Sequence, residues 1–505
     1  MKTKSPASWL VLGGVILTML ACSLTNPTPV AWVLTPTAEA AAALATSAAK
    51  TRAALTNPNE LPPLPTATPP TFPTQTPQSD RLNTYGPWLL YSSEQGKALI
   101  LRNPDGSGQT RLALPDPLID PSDLTNGLAP QGNWLAVRTG RRQGWADLAI
   151  QLIHLPDGAM RTLTPLLSPV EQQDTLAVQS VVWRDALRWS PDGHTLAFIA
   201  ALEGSSSDLY IYNSASDKIQ RLTTGTFQAA TPFWSPDSQW VITQEMSGLT
   251  STNPVGWKLN DVWAVNLKSG EFRKLYTPDP GSDGEVFLGW ADNQKLLFYS
   301  HHASGPYNLR QIDMDKLKVT SLLEGDFGSM AMDTASKIIA FTRREGASLP
   351  AGVSPGLYRM PANGQGAALV QAGDWANLAW AAQAGVFLAS GQQGTLVVPP
   401  QGDAQLYPDE PNGLPSADGK WMACWGDAAA SPGLRLYQPG GQKLQTLLAD
   451  PVQALTWAPD ASGLFAISDH RLYYFTFPDL KPVILDESIQ PPIGAAMQWV
   501  GTTSP

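Results

Sequence analysis

Cysteine is scarce, with two residues in 505. That excludes a disulfide scaffold and the multi-cysteine metal knuckles. Histidine is nearly as rare, at five residues (His154, His194, His301, His302 and His470) with no His-Glu-x-x-His spacing among them. Only His301 and His302 are adjacent, and neighbours on an extended segment point to opposite faces, so no metal centre and no cofactor is expected. Charged residues make up 15% of the chain, well below the roughly 25% usual for soluble domains. The balance of 33 Lys plus Arg against 43 Asp plus Glu contains no basic block, which argues against nucleic acid as a partner. What is plentiful is turn and anchor chemistry: 45 Pro, 42 Gly and 18 Trp in a chain that is 43% hydrophobic. Such a chain has ample apolar surface to bury, and its length alone allows about three domains.

The N-terminal 22 residues read as an address. Lys2 and Lys4 precede a mostly apolar run from Trp9 to Leu20, too short for the roughly 20 residues that span a bilayer but suited to a signal-peptide core. Met19-Leu20-Ala21-Cys22 resembles a bacterial lipobox, which implies lipidation at Cys22 and an exported, extracytoplasmic protein anchored to the cell envelope. An ordinary secretory signal or an uncleaved anchor is the alternative. Residues 23–82 then form a linker, Ala-rich to Leu55, with eight prolines between Pro58 and Pro77. This composition favours polyproline II and builds no packed core; twenty such residues span roughly 60 Å. A spacer is the preferred reading, with an SH3-type docking ligand and O-glycosylation as alternatives.

From residue 83 to 505 the chain repeats. Trp189-Ser190-Pro191-Asp192-Gly193 returns 45 residues later as Trp234-Ser235-Pro236-Asp237-Ser238 and again as Trp457-Ala458-Pro459-Asp460. Looser copies start near 129, 290, 332, 380 and 416, each followed by an apolar run, and a last one lies at 499. A period of 40–50 residues is the signature of propeller blades. In the motif, Pro191 presets φ, Asp192 tolerates the bridge region and Gly193 takes positive φ, which together make a hairpin turn. The next strand, such as Leu196 to Ala201, is apolar at every position, as a strand reads when both faces are covered. Segments such as 208–212 and 221–223 supply the third and fourth strands. The first unit, at Trp88, begins with its second strand, while 496–500 is a first strand with nothing after it. Joining the two closes a ring and removes its exposed edges. The expected fold is all-β: a single closed β-propeller of eight or nine four-stranded blades, with one irregular unit expected between 330 and 448.

These motifs resemble the TolB-like, WD40-like (PD40) propeller repeats of bacterial exported proteins. The resemblance covers about 88–500 and implies a propeller that binds or scaffolds. Similar repeats occur in the propellers of prolyl oligopeptidase-like peptidases, but the 505 residues leave no room for a hydrolase domain, so no enzyme is expected.

The remaining motifs agree. Gly352-Val353-Ser354-Pro355-Gly356 matches Gly-x-Ser-x-Gly, yet Pro355 lacks the N–H that a nucleophile elbow needs after its serine. The repeated Asp of the Pro-Asp turns is a turn residue, because a catalytic group is needed once and not once per blade. Cys424, between Ala423 and Trp425, reads as a buried, inert thiol. Function is therefore expected on a face. The second-to-third-strand loops at 139–145, 244–259, 300–307 and 343–355 are long and carry Arg141, Arg142, Trp145, Trp257, His301, His302, Arg343 and Arg344, residue types common at interfaces. The expected function is a lipid-anchored, monomeric binding or scaffolding module for an envelope or extracellular protein, peptide or glycan. The alternative is an extracellular propeller enzyme, a glycan hydrolase or lyase with its site in the central channel.

Overall fold

The computed structural model describes residues 78–79 and 82–501, apart from 85, 142–144, 146, 170–174, 205, 250–256, 280–281, 283, 303–304, 345–348, 350–351, 427–431, 439–440, 478–479 and 490–496. The lipobox, Cys22 and most of the linker lie outside these residues. The described residues form nine antiparallel sheets, one per blade, arranged as a propeller. From the axis outward, blade 3 runs Leu187–Trp189, Thr195–Ala200, Asp208–Asn213 and Lys218–Arg221. Blades 4 to 9 repeat the pattern over 228–276, 284–326, 330–372, 375–408, 412–448 and 452–486. The three units between 330 and 448 are all four-stranded, so none is the irregular one.

The irregular blade is the second. Its strands Trp134–Thr139, Ala149–His154 and Ala159–Pro165 stand without a full inner strand, which is reduced to a single bridge between Leu128 and Leu135. Helix α1, Asp123–Asn126, occupies the approach. Gly127 follows it so closely against blade 2 that a Cβ there would lie 1.8 Å from the Ala136 oxygen. The chain can enter the blade only because that residue is glycine.

Blade 1 closes the ring. Met497–Val500 pairs antiparallel with Trp88–Ser93, Val500 opposite Trp88 and Met497 opposite Tyr91. The blade continues outward through Ala98–Arg102 and Gln109–Ala113, and Gln78–Ser79 adds a fifth strand at the rim.

The repeated motif has two jobs in the structure. In the turn, Ser190 Oγ donates to Asp192 Oδ1 (2.6 Å) and accepts from the Thr195 amide (3.0 Å), while the His194 amide donates to the same carboxylate oxygen (3.0 Å). Gly193 sits at φ +71°. Ser235 and Asp237 repeat this bonding, as do Ser416 and Asp418. The tryptophan ties blades together. Nε1 of Trp189, Trp234, Trp290 and Trp457 donates to a carbonyl at the inner edge of the preceding blade: Gly127, Arg188, Trp234 and Leu414, at 2.8–2.9 Å. Trp499 makes the closing bond, to Thr456 Oγ1 at 3.0 Å. A large ring fills the wedge between blades, and its donor is satisfied without water. Thr195–Ala200 is buried along its whole length, as expected for a strand covered on both faces.

Candidate binding face

In each blade the hairpin between second and third strands and the connection to the next blade leave at the same end. The seven candidate residues that are described therefore belong to one face, on blades 2, 4, 5 and 6. Arg141 is exposed there and pairs with Asp147; Arg142 falls outside the described residues. Trp145, at φ +52°, packs partly buried against the core of blades 2 and 3.

Three placements differ from the loop expectation. The blade 4 hairpin is extended, with strands Trp240–Leu249 and Trp257–Asn266. Trp257 consequently begins a strand and is 3% exposed, packed on Ala230 and Met246 and edge-to-face on Trp183 at 5.2 Å. It is core, not contact surface. His301 and His302 end the strand Lys295–His302, opposite Pro306 and Gly305, so they belong to a hairpin and not to a loop. Arg343 closes the strand Ile338–Arg343 and is buried, while Arg344 beside it is exposed.

The same face carries buried polar pins that no sequence motif announced. On blade 2, Arg138 and Asp123 are both almost fully buried, joined at 2.7 Å. Arg138 Nη1 also donates to the carbonyls of Val181 (2.9 Å) and Trp183 (2.6 Å), stapling the C-terminal end of helix α2, Thr175–Val182, to the blade. Burial lifts Asp123 to about 6 despite the guanidinium, which leaves it ionised at neutral pH. On blade 3, Arg221 meets Asp208 at 2.5 Å; on blade 8, Arg435 meets Glu410 at 2.5 Å.

Between blades 4 and 5 sits Glu285, 3% exposed. Its carboxylate accepts from Ser282 (3.0 Å), Ser300 (3.0 Å) and Tyr276 (3.3 Å), and its backbone pairs with the Gln244 amide group. Burial outweighs these donors and raises the carboxyl to about 7. A raised carboxyl binds its proton more readily folded than unfolded. Its stabilising contribution is whole below about pH 4.5 and is lost as pH climbs through 7, by roughly 2–4 kcal/mol. Glu285→Gln is expected to match wild type in urea melts at pH 4.5 and to exceed it at pH 8; parallel stability curves would contradict the assignment.

Ser354, of the Gly-x-Ser-x-Gly match, lies before the strand Gly356–Pro361 with no helix after it, so the geometry of a nucleophile elbow is missing. Cys424 is fully buried, and burial pushes its thiol far up.

The fold and its face define a nine-bladed propeller with a loop-bearing face on blades 2 to 6. No family model matches the chain. An uncharacterized peptidase, YuxL, of Bacillus subtilis is 42% identical over 55 residues, 11% of this chain and 8% of its own length. The chain thus spans less than a tenth of the curated relative it matches. Among solved structures, TolB from Acinetobacter baumannii is similar at 16% identity, covering 56% of this chain and 63% of that one (TM-score 0.31). An oligogalacturonate lyase in complex with manganese shares 15% identity, covering 70% and 99% (TM-score 0.35). Porphyromonas gingivalis dipeptidyl peptidase 4 shares 13%, covering 72% and 60% (TM-score 0.45). TolB, a lyase and a peptidase thus stand side by side among its neighbours, and none transfers an activity to this chain.

Proposed function

We propose that the chain is an exported module, lipid-anchored through Cys22, that captures an envelope or extracellular protein, peptide or glycan on its loop face. One observation carries this reading: the chain topology gathers the hairpins of blades 2, 4, 5 and 6, with exposed Arg141 and Arg344, on one side of a rigid ring. Rigid scaffolds present binding groups on such loops, and a preorganised surface loses little entropy on binding. The long proline-rich linker suits a domain held away from a membrane. The test keeps the core intact. Arg141, Arg142 and Arg344 are replaced together by serine, leaving Arg343 in place. Capture of partners from envelope extract is expected to fall at least fivefold without a change in melting temperature; undiminished capture would remove the loop face from the proposal. Acyl labelling that survives Cys22→Ser would remove the anchor.

A further inference from the structure

Among the described residues, the guanidinium groups of Arg102, Arg138, Arg221, Arg310 and Arg435, buried or partly buried, each meet a carboxylate or at least two other oxygens, although Arg102 Nε has no partner; that of Arg343 meets one carbonyl. Arg138, Arg221 and Arg435 each meet a carboxylate at 2.5–2.7 Å, and Arg310 pairs with Asp279. Arg102, which lacks a carboxylate, reaches the Gly106 and Leu485 carbonyls and the Gln109 side chain. Arg343 is 5% exposed and has a single long hydrogen bond, from Nη2 to the Glu324 carbonyl at 3.4 Å. Its Nη1 is buried without a partner. Among the described residues no carboxylate lies within ion-pair distance of it. Burial pushes its guanidinium down, where those of Arg138, Arg221 and Arg435 are raised by their acids.

Two aromatic rings and a glycine surround this guanidinium. The rings of Phe327 and Phe341 lie 4.7 and 5.8 Å from the guanidinium carbon, which offsets part of the cost of burial but supplies no acceptor. Residue 325 is glycine at φ +94°, and a Cβ there would come within 3.8 Å of Nη1. No side chain of residue 325 therefore covers the unpaired nitrogen. Exposed Arg344 stands beside it, its Nη2 donating to the Gly328 carbonyl at 3.2 Å.

We propose that Arg343 is the floor of a carboxylate-binding site between blades 5 and 6, with Arg344 at its mouth. The site rests on the loop-face reading above and names the chemistry that face recognises. A guanidinium presents two parallel N–H groups that match the two oxygens of a carboxylate. One buried cation between two phenyl rings balances a monoanion; a phosphate dianion would leave excess negative charge in an apolar cage.

The test uses the full chain, titrated by calorimetry and melting-temperature shift with propionate, N-acetylglutamate amide and inorganic phosphate. Either carboxylate is expected to stabilise wild type, and the effect is expected to vanish in Arg343→Met and to weaken at least tenfold in Arg343→Lys, which keeps the charge but loses the fork. Propionate binding alone would identify the carboxylate as sufficient; binding only of the glutamate derivative would place flanking peptide contacts in the site. Unliganded Arg343→Met is expected to melt at or above wild type, because an uncompensated buried charge is removed. No response to either carboxylate, equal responses in Arg343→Met, or preference for phosphate would each overturn the assignment. Intact partner capture with no carboxylate response would refute this site alone; carboxylate binding with capture unaffected by the triple-serine variant would refute the capture reading alone.

Discussion

Deletion of residues 497–505 is expected to abolish the cooperative fold at ordinary temperatures. The segment 497–500 supplies the inner strand of blade 1, buries Met497 and Val500, and sends the Trp499 indole to Thr456 of blade 9. Trp499 also meets Phe465 edge-on at 5.7 Å, and the Gly501 amide donates to Gly132 on the connection into blade 2. Burial of three large side chains is worth roughly 5–8 kcal/mol, comparable with the entire stability of many domains. Its loss would also bare the edge of Trp88–Ser93, an apolar template for pairing between molecules. Calorimetry should show a collapse of the transition, and light scattering should show association. A melting temperature within a few degrees of the full chain would contradict ring closure by this strand.

Asp123→Ala is expected to be the most damaging single substitution on the loop face. It leaves the Arg138 guanidinium, 1% exposed, with no carboxylate nearer than Asp120 at 3.8 Å. Orphaning one member of a buried ion pair costs about 3–5 kcal/mol, whereas replacing both members with apolar groups is often neutral. Asp123→Leu combined with Arg138→Met should therefore recover most of the loss in urea unfolding. It should not recover the staple on α2, so amide exchange in 175–182 should stay faster than in wild type. Equal loss in the single and double variants would show that packing, not charge, governs this site.

The blade period was legible because several units repeat the same solution: a hydrogen-bonded turn at Ser-x-Asp, an indole donor for the preceding blade, or both. The same repetition made the orphan strands at 88 and 497 complementary. Blade 2 was less legible, since its missing inner strand follows from a clearance at Gly127 that no pattern of hydrophobicity records. Helix α2 was hidden for a related reason. Its sequence, Thr-Leu-Ala-Val-Gln-Ser-Val-Val, has a strand-like content of β-branched residues, and packing against blades 3 and 4 overrides that preference.

The candidate face was legible in its topology but not in its details. Loop position can be read from strand order, and Arg141, Arg343 and Arg344 stand at the same end of their blades. Burial cannot, because Trp257 and Arg343 differ from their exposed neighbours only in what lies opposite. The carboxylates Asp123, Glu285 and Glu410 resemble any other acid of a connecting segment until partners 15 to 25 residues away fold onto them.

The most direct measurement is a view down the ring axis of the full chain by electron microscopy. Nine blades, with 497–500 innermost in the blade that begins at Trp88, is the expected result. Eight blades, or an open seam between blades 9 and 1, would contradict it.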